Sequence, residues 1–352
     1  MTWQPRALVQ TDLVPFHHGA DDANSDDGQS PLGLTLRRAR LGADFASDAW
    51  RARVVISVES TSALGSEPQR DPVAVGAFGP PASSSMNVPD VGLAETRVTG
   101  AHVTEAFVAW SPGKAFGLWA GSLRVPLGLA RGVDEGDLRL PERARVTTRM
   151  TPDFRPGAKI AGDWGLLQYA LGAFTLAPLG ASATNEGNGP LTVLRLSAEP
   201  VGPVGLAAHL RRSDDPWYGW WRFSVGLSLF HARLPGTNEF GAGLDGQFQR
   251  GRFLTTGEML WSHRGTHDRV GLVVEPGVFV WRDRVELVAR AEWFNDDVGP
   301  QSPLDIWGTG LGATLYSAGR AARIQGAYFL RAPLSGDTRP SGWATVRLAF
   351  VL

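Results

Sequence analysis

The feature that most constrains this chain is a two-residue alternation of apolar and polar side chains, repeated almost from end to end. Between Trp50 and Glu59, the set Trp50, Ala52, Val54, Ile56 and Val58 alternates with Arg51, Arg53, Val55, Ser57 and Glu59. Trp221, Phe223, Val225, Leu227 and Leu229 alternate likewise with Arg222, Ser224, Gly226 and Ser228. Successive side chains of a strand point to opposite faces, so each segment predicts a β-strand with one apolar and one polar face. Sixteen strands are predicted, over 4–16, 32–47, 49–60, 101–111, 116–128, 157–163, 166–177, 190–199, 220–233, 237–250, 252–263, 269–282, 284–295, 305–317, 320–332 and 341–352. The sequence contains no run of about 18 apolar residues from which a membrane-spanning helix could be built.

The links between these strands alternate in length. Those after strands 2, 4, 6, 10, 12 and 14 are brief, whereas 17–31, 61–100, 129–156, 178–189, 296–304 and 333–340 are longer. The links 234–236, 264–268 (both brief) and 200–219 (long) break the trend, and 203–212 is taken as part of that last connection. Short turns on one rim, long loops on the other and an even strand count are the pattern of an outer-membrane barrel. Closure removes sheet edges that lipid cannot hydrate, and sixteen strands enclose an aqueous lumen. The predicted fold is therefore an all-β, 16-stranded antiparallel transmembrane β-barrel in the cell outer membrane, with 1–352 as one domain. The N-terminal stretch MTWQPRALVQTDLVPF lacks the basic, apolar and small-residue succession of an export signal, which leaves a cytoplasmic protein or one whose signal is already removed, and the strand pattern favours the second.

Tryptophan supports the same reading. Trp3, Trp50, Trp110, Trp119, Trp164, Trp217, Trp220, Trp221 and Trp281 fall at the short-turn rim, and Trp261, Trp293, Trp307 and Trp343 at the other. Two interfacial girdles are expected from them.

Charge and cysteine content exclude several classes. A formal net charge of -1 is unlike a nucleic-acid binder. Zero Cys excludes disulfides, thiolate metal sites and a cysteine nucleophile. On the polar strand faces, Arg38, Arg40, Arg51, Arg53, Arg124, Arg195, Arg222, Arg290, Arg323 and Arg347 are candidates for lining a pore and guiding anions. Glu59, Glu105, Glu258, Glu275, Glu286 and Glu292 share those faces, so the arginines serve equally as halves of wall-stiffening ion pairs.

The stretches GLTLRRARLGADF (33–45), VTEAFVAWSPGKAFGLWAGSLRVPLGL (103–129), LLQYALGAF (166–174), GEMLWSH (257–263) and DRVELVARAEWF (283–294) together resemble the phosphate-selective porins O and P of Gram-negative outer membranes. The resemblance implies a homotrimeric barrel that passes small anionic solutes such as phosphate, in contact with outer-membrane lipid and lipopolysaccharide and without a cofactor. It implies that Arg38, Arg40 and Arg124 face the channel, and that Arg37 sits near a rim or subunit contact. It also implies that 129–156 folds inward as a pore-constricting loop. That loop holds Arg131, Arg139, Arg143, Arg145, Arg149 and Arg155 against Asp134, Glu135, Asp137, Glu142 and Asp153. The chain departs from the family in lysine: only Lys114 and Lys159 occur, so arginine alone would have to recognise phosphate, which its planar fork does bidentately.

Two other function classes are carried beside the porin. One is a soluble all-β carbohydrate-binding protein using exposed tryptophan; the other is an outer-membrane hydrolase around Glu258, Ser262 and His263. Alternation places Ser262 and His263 on opposite faces, which separates nucleophile from base. GAGLDG at 241–246 matches a dinucleotide fingerprint but lies in a strand and opens no helix. DDANSDDG at 21–28 resembles a calcium loop, but Gly28 comes one residue late and the closing Glu is missing. No catalytic or metal-ligating set is assigned.

Overall fold

The computed structural model describes residues 2–18, 33–61, 97–176, 189–201, 204, 220–234, 236–281, 284–295, 305–317, 321–334 and 340–351. These form β1 (Thr2–His18), β2 (Gly33–Ala46), β3 (Trp50–Thr61), β4 (Arg97–Gly113), β5 (Phe116–Arg124), β6 (Phe154–Asp163), β7 (Leu167–Thr175) and β8 (Pro190–Ala198). They continue as β9 (Arg222–Leu234), β10 (Thr237–Arg250), β11 (Phe253–Arg264), β12 (His267–Trp281), β13 (Val285–Asn295), β14 (Ile306–Tyr316), β15 (Ala322–Pro333) and β16 (Ser341–Val351). Among the described residues these sixteen strands pair antiparallel with their sequence neighbours, and β1 pairs with β16 to close the barrel. The acidic run 21–28, the connection 205–219 with Trp217, and the side chains of Arg37 and Glu59 lie outside the described residues.

The alternation sorts side chains as expected. Val54, Ile56, Leu227, Leu229, Leu272, Leu287, Leu311 and Leu348 are exposed on the outer surface, while Ser57, Ser228, Glu286, Thr314 and Arg347 are buried inside. A water-soluble barrel would invert this arrangement, so the exterior is built for lipid and the soluble carbohydrate-binding reading falls. GAGLDG runs inside β10, where a Cβ on Gly241 would meet the Trp261 carbonyl oxygen at 2.3 Å and Phe230 at 2.5 Å. Close packing, and no helix, accounts for this glycine.

The tryptophan girdles hold with two corrections. Trp3, Trp50, Trp164, Trp220, Trp221 and Trp281 are exposed at the short-turn rim, and Trp293 and Trp307 at the other. Trp119 faces inward, because it pairs across β5–β6 with Lys159, whose ammonium lies 5.6 Å from its ring centroid. Trp343 is 7% exposed and also faces inward, stacked on Phe329 with Arg331 over its ring. A ring at a strand end is read as a girdle by position, but its parity within the strand decides which side of the wall it joins.

Strand limits also move. β5 ends at Arg124 rather than at 128, and β6 begins at Phe154 rather than at 157. Between these two ends the chain leaves the wall and turns into the lumen.

Candidate functional site: the lumen and its inward-folded segment

The segment between β5 and β6 carries one helical turn α1 (Leu129–Gly132), a 3₁₀ turn (Glu135–Asp137) and the short helix α2 (Arg145–Met150). It packs inside the barrel. Leu123 at the end of β5, with Val125 and Leu127, enters an apolar cluster with Phe174, Leu191, Val193 and Phe230 on β7, β8 and β9. Leu140 joins Val288, Ala327, Phe329 and Trp343. Val146 and Met150 join Leu260, Phe294 and Ile306. Apolar residues on the luminal face of a porin-sized barrel would otherwise meet water, so these three clusters favour keeping the segment inside.

Glycines of the wall receive it. A Cβ on Gly277 would stand 1.7 Å from a terminal nitrogen of Arg139; on Gly271, 2.3 Å from Val146 Cγ1; on Gly312, 2.5 Å from Leu140 Cδ2. Each lies on the inward parity of β12 or β14, so a missing side chain opens a socket for a side chain of the segment. At the entry, Gly128 has φ +73°, and a Cβ there would meet Glu258 Oε1 at 2.0 Å. The same carboxylate accepts a 3.0 Å bond from Thr147 Oγ1, tying α2 to β11.

Polar contacts complete the seat. Arg139 Nε donates to Glu286 Oε1 at 2.8 Å, and its other nitrogens donate to the carbonyls of Glu275 and Leu254. Glu292 Oε2 accepts from the Arg145 amide at 2.7 Å, at the start of α2. Arg143 reaches Glu135 and the carbonyls of Ala130 and Val133, bracing the segment against itself. Arg131 donates to the Pro152 carbonyl, and burial lowers its pKa despite Asp153 nearby. Arg149 presents its carbonyl to Arg269 at 3.5 Å.

The wall arginines proposed from sequence are almost all inside and held by acids or carbonyls. Arg53 binds Asp44 and Glu105; Arg195 binds Asp245; Arg290 binds Glu275; Arg347 binds Asp12 through two bonds of 2.7 and 2.8 Å. Arg323 donates to the carbonyls of Leu138 and Glu135. Arg222 is 1% exposed. Arg51 has the inward parity but stands exposed at the end of β3. Arg124 lies 4.9 Å from the Phe154 ring centroid and donates to the Gly132 carbonyl at 2.7 Å.

Arg38, Arg40 and Arg124 come together around two consecutive residues of the segment. Arg38 pairs with Glu135 at 3.2 Å, while Arg40 and Arg124 each pair with Asp134 at 3.3 Å. Burial raises the Asp134 pKa, but Arg124 and Arg40 outweigh it and hold the carboxyl below its ordinary value. Asp137 is pushed the other way, by burial and by Asp134.

These pairs separate two cavities. On the long-loop side, ≈ 430 Å³ is lined by Arg38, Arg131, Glu135, Glu142, Arg143, Arg145, Thr148, Arg149, Asp153 and Arg331. On the short-turn side, ≈ 320 Å³ is bordered by Arg6, Arg40, Glu105, Asp134 and Asp137 among others. Arg331, which pairs with Glu292 at 3.3 Å, was missed in the sequence although it shares the parity of Arg323 on β15.

The residues of the hydrolase reading are divided by the wall. Ser262 is 1% exposed on the inner face, whereas His263 lies outside, bonded through Nδ1 to Asp268 at 3.0 Å.

No protein-family model matches the chain, and no curated protein matches it. Solved structures do share its fold. The outer membrane channel DcaP of Acinetobacter baumannii is similar with a TM-score of 0.59 at 10% identity, over 99% of this chain and 97% of that one. OprB of Pseudomonas putida gives 0.64 at 10%, over 100% and 94%. A mutant of the Rh. blastica porin gives 0.54 at 8%, over 100% of both chains. The fold is that of an outer-membrane porin, and the apolar exterior places it in a membrane.

Proposed function

We propose that the protein is a passive outer-membrane porin for small hydrophilic solutes, favouring anions, with phosphate among them, and performing no covalent chemistry. The observation that carries this reading is the long-loop-side cavity, where six arginines face three carboxylates, with Glu292 beyond the lining paired to Arg331. Low-dielectric walls focus the field of that excess and concentrate anions at the entrance. A solute moving inward then passes Arg38–Glu135 and Arg40–Asp134, which border the two cavities. The ten wall arginines thus divide their work: most stiffen the barrel, and those around 129–156 act on the solute. Assembly as a homotrimer, contact with lipopolysaccharide and kinship with porins O and P rest on the sequence resemblance.

The test is reconstitution of the purified protein in planar bilayers. Stable ohmic conductance is expected, with a reversal potential in a KCl gradient on the anion side and partial block by added phosphate. Arg131→Ala with Arg149→Ala should move the reversal potential toward zero. Repeated absence of conductance sinks the porin; a cation-side potential sinks the anion preference alone.

A further inference from the structure

The outer face of the short-turn rim is not uniform. Just before β9 and at the end of β10, the Arg250 guanidinium lies 4.5 Å from the Trp221 ring centroid, and that ring lies 5.1 Å from Phe248. Arg250 stands opposite Phe253 across the β10–β11 pair, with Arg252 in the turn between them. One hairpin further, Trp281 ends β12, and its carbonyl accepts from the backbone N–H of Arg284. Trp221, Phe253 and Trp281 are 54%, 43% and 55% exposed, and the three arginines are exposed as well. None of the three arginines has an ion-pair partner among the described residues. Elsewhere on this rim, Arg6 pairs with Asp44, the turn after β6 carries Asp163, and the exposed cations Arg51 and Lys114 lie in other sectors.

Exposed tryptophans at a strand end sit at headgroup depth. A guanidinium stacked on an indole keeps its in-plane N–H edges free, and those edges match two phosphate oxygens. Phe253 and Trp281 supply apolar ground beside it for an acyl chain. A zwitterionic headgroup brings its own ammonium and gains little from these exposed arginines, whereas an anionic one gains from each.

We propose that the sector formed by Trp221, Arg250, Arg252, Phe253, Trp281 and Arg284 is a binding site for the headgroup of an anionic phospholipid of the phosphatidylglycerol type, in the leaflet that meets the short turns. It is independent of the solute that crosses the lumen.

Native mass spectrometry tests it, on protein incubated in mixed micelles with equal phosphatidylglycerol and phosphatidylethanolamine. Each arginine near an anionic headgroup is worth about a fivefold preference. Wild type is therefore expected to retain phosphatidylglycerol preferentially. Arg250→Ala, Arg252→Ala and Arg284→Ala combined should abolish the preference, and Lys114→Ala, on another sector of the rim, should leave it intact. If the triple variant does not fold to a heat-modifiable barrel, the single turn variants Arg252→Ala and Arg284→Ala replace it, each expected to weaken the preference. Equal retention of the two lipids by wild type, an undiminished preference in the arginine variants, or equal loss in Lys114→Ala would overturn the proposal.

Discussion

Arg139 and Glu286 meet at 2.8 Å across 147 residues of sequence, with side chains only 5% and 0% exposed. One belongs to the segment inside the barrel, the other to β13. Tyr316 donates to the second carboxylate oxygen at 2.8 Å, so the acid is held from both sides. This bond and the Gly277 socket beneath it make the segment a fixed part of the barrel interior.

Removing one partner of that pair leaves a buried charge uncompensated. Such losses cost about 3–5 kcal/mol. Glu286→Gln should therefore lower the temperature at which the heat-modifiable band is lost, and raise single-channel conductance as the segment loosens. Unchanged conductance together with unchanged thermal behaviour would show that the seat does not depend on the pair.

The Gly271 socket makes a steric prediction. Val146 is short and branched and has little freedom to swing away from an added Cβ at 2.3 Å, and overpacking of this kind costs about 1–3 kcal/mol. Gly271→Ala should unseat α2 while leaving the barrel closed, giving noisier or larger conductance with ordinary gel migration. Gly251→Ala, at a short turn with no atom within 4 Å of the built Cβ, provides a comparison that leaves conductance alone despite its φ of +54°.

The seam between β1 and β16 depends on Asp12 and Arg347, joined by two buried bonds. Asp12→Asn keeps the shape and removes the charge, leaving Arg347 buried without its counter-ion. A loss of about 3–5 kcal/mol is expected in denaturant unfolding from lipid vesicles. A midpoint within error of wild type would refute the role of this pair in closure.

Acid should act on the segment through Asp134. Its carboxyl lies below the ordinary 3.8 in the folded protein. The stabilisation is therefore fully present above 3.8 and is lost as pH falls through the lower folded value. Asp137 is raised, so its charge opposes the folded arrangement at neutral pH and this opposition is relieved on acidification. Asp137→Asn should thus raise thermal stability at neutral pH, whereas Asp134→Asn should lower it and make seating insensitive to pH below 4. Conductance and melting followed from pH 7 to 3 distinguish the two; equal behaviour of both variants would contradict the opposite signs.

Local order was legible in the chain because strand parity is a local property. Every second residue shares a face, so Val54 and Ile56 could be assigned to lipid and Arg53 and Ser57 to the lumen without knowing any partner. Strand number follows from the same alternation, and closure and the short-turn rim from the alternating lengths of the links. Parity also contains the answer for Trp119 and Trp343: position near a strand end suggests a girdle, but parity points both rings inward, where they lie.

Contacts across the lumen could only be decided by the tertiary structure. Which acid meets which arginine depends on side chains distant in sequence, such as Asp12 and Arg347, set opposite each other by closure of β1 on β16, or Arg139 and Glu286, joined when the segment enters the lumen. The seating of 129–156 depends on glycine sockets in β12 and β14 whose purpose is invisible until Val146, Arg139 and Leu140 are seen inside them. The alternating pattern by itself determined a membrane barrel with a charged interior. The tertiary structure decided which charges neutralise one another and which remain in excess around the cavity, because pairing is set by distances of a few ångströms across the lumen and not by the repeat along each strand.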